Sequence, residues 1–504
     1  MLVTSLHIGA SSVSLLIAQR NDAGEIAPID FLEQPAPLAH DIFGRGAIAP
    51  ATTERIVAIL QGFQKTLSEL GLSTTDLTRA CATNILTEAT NHEPFLLRIQ
   101  VACGLRLTII DDGEMTRLIY LKTQRRLLDT PAMRKGNSLV IHVGPGNTRA
   151  LMFHNGEIAR YTSYRLGTHR TREAVQESHT EGTALLEVIR QHASGNLEQI
   201  SIDYANDTIE SLLIIGYEAQ LIASSLGKPG SPCTLRQLKQ LTQQACLLSD
   251  YDLVHRFKLD YHTAEALLPA MQIAISVTEI LRLNQLYIPH SEYEQGLLHD
   301  LLISKTLIGK FEQEVLRATR ILARRYLSDS RHGEHVSRIC QILFEKLQDL
   351  HQLGPHEFLL LQCAAILHEV GSYISPRLHH KHSLYIILNS EIFGLNRLDI
   401  TIVALIARYH RHAMPQAEHP HYCDLSMDDR IRVCKLASLL RVADALERTH
   451  HQRVNFIQVS HSGGKLTLTL PNVNDATVER LAMQSKSDLF TQTFGLEVEV
   501  EVEP

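Results

Sequence analysis

The sequence predicts an α/β protein that continues into an all-α region and ends in a small α/β module. Three observations carry that assignment. A strand, a glycine turn and a second strand occur twice, at residues 2–20 and again from Ser138 to Gly167. Between residues 306 and 452 apolar side chains recur at helical spacing. After 452 the texture changes to alternation, in VNFIQVSH, KLTLTL and LEVEVEVEP, with a helical stretch at 475–486.

In chain order, VTSLHIGASSVSLLIAQ reads as two strands around Gly9, Ala10, Ser11 and Ser12, small residues that let a backbone approach an anion closely. A helix is expected at 52–70, capped by Thr52 or Thr53. A strand at Arg79 to Thr83 follows, then a helix start at Asn84 to Asn91, a helix at 93–103 and a strand at 105–110. IIDDGEMTRLIYLKT is a strand feeding a helix. The second copy, SLVIHVGPGNTRALMFHNGEIARYTSYRLG, turns at Gly144, Pro145 and Gly146. Helices are expected at 171–196, 234–247 and 263–303, and LLIIGYEAQLIASSLG as a strand running into a helix. Repeated units of this kind belong to the duplicated actin-like (ASKHA, ribonuclease H-like) architecture, whose two lobes face their glycine turns across a cleft as phosphate loops. The expected divisions are 1–123 for lobe I, 124–305 for lobe II, 306–452 for the helical domain and 453–504 for the C-terminal module.

Composition excludes several classes. Net charge is -7 with a pI near 6.4, so no basic field invites DNA. No stretch approaches the 18 or so uninterrupted apolar residues of a membrane span. The start has no basic segment ahead of its apolar run and reads as a strand, not a signal peptide. Eight cysteines without CxxC spacing point to a reducing, cytoplasmic setting.

Histidines concentrate in the helical region: 12 of the 27 fall between His332 and His421. Leu359, Leu361, Ala364, Ile366 and Leu367 form one apolar helix face, and Ile400, Ile402, Val403, Leu405 and Ile406 another. Around them lie His368-Glu369, then His379, His380 and His382, then His410 and His412. Imidazoles and carboxylates set against apolar helices are what a transition-metal site in a bundle requires. With His332 upstream and Asp444 downstream, the ordered set is His332, His368, Glu369, His382, His410, Asp444. That order resembles the H…HD…H…H…D ligands of binuclear HD-superfamily phosphohydrolases, with Glu369 in place of the dyad's aspartate. The resemblance implies a divalent metal (Mn, Fe or Mg), with His332, His368, Glu369 and Asp444 on one ion and His382 with His410 on a second.

Over nearly the whole chain the sequence resembles the exopolyphosphatase / guanosine pentaphosphate phosphohydrolase (Ppx/GppA) family. LHEVGSYISPRLHHKHSLYIILNSEIFGLN, ARYHR and LLRVADALERTH carry the resemblance most strongly. It implies an actin-like phosphatase core, an HD-type helical domain, a small C-terminal domain, and polyphosphate or guanosine penta- or tetraphosphate as ligand. It also implies a homodimer. Gly9, Ser11, Ser12, Gly144, Gly146, Asn147, Thr148 and Arg149 fall on the family's phosphate loops.

The acidic groups of those loops are missing. The first loop, D-I/L-G-S-N-S in the family, is HIGASS, with His7 at the metal-linked aspartate; the second, DIGGGSTE, is HVGPGNTR, with His142 and Arg149 at its two acids. The catalytic glutamate falls on Met115 in DDGEMTRL, leaving Glu114 next door as the catalytic candidate. The phosphate-binding arginine falls on Thr87, and the third loop, GYEAQ, keeps Gly216 alone. Phosphoryl transfer to water needs a carboxylate to position the water and hard oxygens for Mg²⁺. A thioether and two imidazoles supply neither, so no Mg²⁺ is expected in this cleft. Three anionic positions have become two histidines and an arginine, which suits direct binding of a polyanion. Three functions are therefore weighed: a phosphohydrolase working through its helical domain, a working exopolyphosphatase or guanosine pentaphosphate phosphatase with altered loop residues, which Met115, Thr87, His142 and Arg149 speak against, or a catalytically silent sensor of a phosphate polyanion.

Overall fold

The computed structural model describes the chain apart from residues 22–24, 73–77, 130–135, 177, 227–231, 258, 260, 289–292, 303–305, 412, 472 and 503–504. His412 thus lies outside the described residues. The chain divides into two compact units, Met1–Gly309 and Lys310–Pro504.

The first unit contains one topology twice. Strands β1 (Leu2–Ile8), β2 (Ser12–Arg20), β3 (Ile26–Pro35), β4 (Arg79–Ala82) and β5 (Thr108–Ile109) form a sheet in the order β3-β2-β1-β4-β5. Strands β6 (Asn137–Val143), β7 (Thr148–His154), β8 (Glu157–Tyr164) and β9 (Ser211–Ile215) form a second, β8-β7-β6-β9. In each, two antiparallel hairpins are followed by a strand parallel to the first. The register breaks at corresponding places, between Ile17 and Ala18 and between Met152 and Phe153. His7 pairs with Ser14 and His142 with Arg149, so the two histidines occupy the same rung of their sheets. A minor pair, β10 (Cys233–Thr234) with β11 (Gln285–Leu286), completes the unit's strands.

β1 and β2 are buried along nearly their whole length because helices cover both faces. Leu6, Ile8, Leu15 and Ile17 pack with Ile56, Leu60 and Phe63 of helix Pro50–Glu69. Val3, Leu16 and Ala18 pack instead with Leu298 and Leu302. Each such side chain contributes about 1.5–3 kcal/mol on burial.

Several boundaries differ from expectation. The first long helix begins at Pro50 with Ala49 as cap, because proline's fixed φ suits the first helical turn. Residues 84–88 form one 3-10 turn, and β5 keeps two residues of the expected 105–110 strand. The 171–196 stretch is two helices, Thr168–Gln176 and Gly182–Asp203, separated where Gly182 takes φ +60°. The 263–303 stretch likewise divides, into Tyr261–Ile280 and Tyr293–Leu302 with β11 between them.

The second unit is a bundle of helices Ser330–Lys346, Pro355–Leu367, His379–Leu388, Arg397–Arg408 and Met427–Leu446. A three-stranded sheet follows: β12 (Gln458–Ser462), β13 (Lys465–Leu470) and β14 (Glu497–Val502). β13 and β14 are parallel, and the crossover between them holds helix Thr477–Lys486 and a second, Asp488–Phe494, beyond the expected 475–486. Both pack on helix Met427–Leu446. No helix among the described residues is long and apolar enough to cross a membrane. All eight cysteines are free thiols.

Candidate functional site

Two places in the molecule gather chemistry, one in each unit. In the first, the two glycine turns are built alike: Gly9 N–H donates to Ser12 O at 2.8 Å and Gly144 N–H to Asn147 O at 3.0 Å. A Cβ on Gly144 would stand 3.0 Å from Asn147 O and 3.1 Å from the His142 ring, so the turn needs glycine to lie over the imidazole. Between the turns is a cavity of ≈ 50 Å³, room for a few waters or one phosphate group.

Ser11, Gly144, Gly146, Asn147 and Arg149 line that cavity, with His7, His142 and Met115. Three of the expected phosphate ligands do not. Gly9 serves the turn backbone; Ser12 donates its hydroxyl to Glu33 Oε1 at 2.7 Å, and Thr148 donates to Leu166 O at 2.6 Å. Glu114, the catalytic candidate, is also engaged elsewhere. Asp111 caps the helix Asp112–Asp129 by accepting from Glu114 N–H at 2.8 Å, which fixes the rotation of the first turn. Glu114 then meets Arg117 in a bidentate pair at 2.7 and 2.8 Å, with Arg79 at 3.6 Å. Met115, about 100° further round, faces the cavity.

The cleft's charge is held by Arg149, 3 % exposed, which pairs with Asp112 at 2.5 Å. Burial pushes His142 well below the usual histidine range, and the Arg149 and Lys122 charges push the same way, so its imidazole is neutral. One carboxylate that sequence reasoning missed does line the cavity: Glu218, buried, accepting from Thr168 Oγ1 at 3.1 Å and 3.7 Å from His169 Nε2. The available signal was an acid in the first turn of the helix that follows Gly216.

In the second unit four helix ends meet. Asp329 caps helix Ser330–Lys346 by accepting from the N–H groups of Arg331 and His332. Gly333 lets that helix approach the backbone of Ile366, placing His332 against His368 at the end of helix Pro355–Leu367. His410 follows helix Arg397–Arg408, and Asp444 sits in the last turn of Met427–Leu446. A Cβ on Gly371 would stand 2.1 Å from His379 O; the bare glycine lets helix His379–Leu388 close on the His368 segment. Ser383 Oγ completes that contact, accepting from Gly371 N–H at 2.9 Å and donating to His368 O at 2.8 Å.

The histidine tautomers follow from the backbone. His368 Nδ1 lies 2.7 Å from Ala365 O, His410 Nδ1 2.6 Å from Ala407 O and His379 Nδ1 3.1 Å from Pro376 O. A carbonyl only accepts, so each Nδ1 carries the proton and each Nε2 presents a lone pair, as metal ligands require. His332 Nε2 is 3.2 Å from His368 Nε2, and Asp444 Oδ1 lies 3.6 and 3.9 Å from those two atoms. Atoms sharing one ion at bonds of about 2.1 Å stand roughly 3.0–3.5 Å apart. The histidine pair lies in that range and the two distances to Asp444 Oδ1 lie just above it, so these three side chains are a candidate set for one ion.

The other expected ligands are arranged differently. Glu369 gathers with His332 and His450, outside the His332–His368–Asp444 group, consistent with its extra methylene. His450 stacks flat on His332 with centroids 3.7 Å apart. His379, not His382, meets His410, at 3.1 Å between Nε2 atoms. The helix starts at His379 because Leu378 takes φ +61°, so its first residue rather than its fourth faces His410. Sequence order pointed to His382 because the dyad-to-histidine spacing alone does not fix where that helix begins.

Electrostatics separate the ligands. Burial would lower His332, but its hydrogen bond and charge interaction with Asp444 raise it overall. Burial lowers His368 and puts His410 well below the usual range, the latter aided by neighbouring His368 and by the Lys486 charge. Asp444 is held well below the carboxylate range although burial opposes it, chiefly by Lys486. Lys486 Nζ bonds Asp444 Oδ2, and both residues are buried. Nothing in the sequence singled out that lysine, 42 residues away.

The model described as the Ppx/GppA phosphatase family matches residues 17–305, and that of Ppx/GppA phosphatase, domain III, matches 316–489. A guanosine-5'-triphosphate,3'-diphosphate pyrophosphatase of Photobacterium profundum is 22 % identical over 480 residues, covering 93 % of this chain and 92 % of its own. One of Pseudoalteromonas atlantica is 24 % identical over 451 residues, covering 88 % and 86 %. Among solved structures, an exopolyphosphatase from Cytophaga hutchinsonii aligns with a TM-score of 0.51 at 15 % identity, over 60 % of this chain and 99 % of that one. That likeness is one of fold.

Proposed function

The chain belongs to the Ppx/GppA phosphatase family, and from that premise we propose a division of labour between its units. The helical unit is an HD-type, metal-dependent phosphohydrolase. The actin-like cleft holds part of a phosphate polyanion without hydrolysing it. The observation that carries this reading is the gathering of His332, His368 and Asp444 around one point, while a thioether, Met115, lines the cleft.

A bound Mn, Fe or Mg ion supplies a Lewis acid and a water acidified to near neutral pH. The chain's own groups do the rest. His332 and His368 offer nitrogen, Asp444 offers Oδ1, and the backbone carbonyl of Ala365 keeps the His368 ring aimed. His379 and His410 face each other through their Nε2 atoms at 3.1 Å, with the His410 ring 5.0 Å from that of His368, and so border the metal ligands. In the cleft, Arg149 and the Gly144–Asn147 turn take phosphate oxygens, and Met115 stands where a carboxylate would prime water. The named relatives act on a guanosine triphosphate-diphosphate and on polyphosphate, so the substrate class is a phosphoanhydride of that kind or a related phosphoester.

A second reading has its own observation. His332, His368 and His410 are each 1 % exposed, and Lys486 already neutralises Asp444; both favour a silent sensor of phosphate polyanions. Phosphate release from polyphosphate, the guanosine pentaphosphate and a simple diester, with Mn²⁺ present, separates the two. The phosphohydrolase reading expects release that is lost from every substrate in His368→Ala and, for the simple diester, retained in Arg149→Glu. Release indifferent to His368→Ala, from a protein holding no metal, would sink it.

A further inference from the structure

Around Asp444 the cluster has two facing histidine pairs, His332 with His368 and His379 with His410, but Asp444 is the carboxylate grouped with the first pair and none is grouped with the second among the described residues. Asp444 divides its two oxygens: Oδ1 faces His332 and His368, and Oδ2 is bonded to Lys486. Two metal ions standing about 3.5–4 Å apart need an anionic group between them. Here that group is already neutralised on one side. Glu369 is grouped with His332 and His450, an alternative three-ligand set that shares His332 with the first, and not with His379 or His410. Among the described residues, no carboxylate joins His379 and His410 in a three-ligand group.

Lys486 is not a surface lysine that happens to reach inward. It ends helix Thr477–Lys486 and is 6 % exposed. Two residues on, Asp488 pairs at 2.5 Å with Arg441, whose side chain is fully buried. Arg441 in turn donates to Tyr409 O and Ala413 O, both at 2.6 Å, beside His410. The crossover of the C-terminal sheet is thereby fastened to the bundle on both sides of the lysine. An ammonium held in this way has the charge and the oxygen partner of a bound cation.

We propose that Lys486 is the second cation of this site, so that the chain takes one divalent ion, at His332, His368 and Asp444 Oδ1. The inference rests on the metal reading given above and specifies it.

The test is metal content. Full-length protein is loaded with Mn²⁺, desalted, and analysed for manganese per chain by mass spectrometry and for spin coupling by electron paramagnetic resonance. The expected result is one uncoupled ion in the wild type and in Lys486→Arg, and a second, coupled ion in Lys486→Met. His368→Ala serves as the control that empties the site. Two ions in the wild type, or a folded Lys486→Met protein that still holds one, overturns the role of the lysine and leaves the metal reading standing. No ion in the wild type overturns both. Should Lys486→Met fail to fold, the wild-type and Lys486→Arg counts still decide, since two coupled ions in either contradict the proposal.

Discussion

The cleft of the first unit and the histidine cluster of the second differ in how acidic groups are placed: the cleft's turns carry none at the family's loop positions, while the cluster holds one, Asp444. In the cleft, His7, His142, Arg149 and Met115 stand where the family resemblance leads one to expect acids, framed by two glycine turns of matching geometry. In the cluster the carboxylate stayed, as Asp444, but one of its oxygens is bonded to a buried lysine. On the proposed reading, the first arrangement offers no hard-oxygen ligands for a metal and the second limits how many metals the ligands serve. In both places the surroundings have become less negative, in the cleft because acidic side chains are absent and in the cluster because an ammonium faces the one that is present.

The largest expected effect breaks the comparison at the cluster. Removing a metal ligand forfeits several kcal/mol of transition-state stabilisation, so His368→Ala should lower phosphate release by about 10³-fold. Bound manganese should fall with it in the same preparation. Activity unchanged in His368→Ala and abolished in Arg149→Glu would return the chemistry to the cleft.

Next comes the buried ion pair. Lys486→Ala leaves Asp444 buried beside no ammonium, and breaking such a pair typically costs about 3–5 kcal/mol. Urea unfolding in the presence of a chelator measures it. With excess Mn²⁺ the loss should shrink, because a divalent ion can take the vacated oxygen. A loss of equal size with and without Mn²⁺ would mean the lysine only packs.

A smaller effect is expected in the cleft. Arg149→Ala should weaken binding of a polyphosphate in EDTA by about 10- to 100-fold, the range for hydrogen bonds to a charged partner, roughly 1.5–3 kcal/mol. Calorimetry reads it directly, and Mn²⁺ content should not change. An unaltered Kd would leave the cleft a scaffold.

Each feature was legible in the sequence to the degree that it leaves a local signal there. The duplicated strand–turn–strand units were legible because β1–β2 and β6–β7 repeat both apolar pattern and glycine position. His332, His368, His410 and Asp444 were legible because each sits at the end of an apolar-periodic helix, where a polar residue stands out. Lys486 was not, since one lysine at the end of a C-terminal helix looks like any solvated cation until the crossover folds onto Asp444. His379 and His382 lie in the run HHKH, and only the left-handed φ of Leu378 decides which of them meets His410. Glu114 was offered for the cleft on sequence proximity to Met115; the Asp111 cap fixes a rotation that sequence adjacency does not convey.

Glu114 supplies the smallest and sharpest prediction. Its carboxyl lies below the usual range: burial opposes ionisation, but the hydrogen bond and charge of Arg117, with Arg79 behind, outweigh it. A depressed carboxylate stabilises the fold above its unfolded pKa, and that contribution is lost as pH falls through the lower folded value. Glu114→Gln should therefore cost about 1 kcal/mol at pH 7, the upper end for a partly screened ion pair. The difference from wild type should begin to narrow below about pH 4, where the carboxylate of the unfolded chain protonates while the folded one is still held ionised. Paired urea titrations at pH 7 and pH 3 measure this, and phosphate release at pH 7 should match the wild type. The converse pattern, stability untouched and release abolished, would make Glu114 a catalytic acid, place the water-priming group back in the actin-like cleft, and dissolve the contrast between the two units.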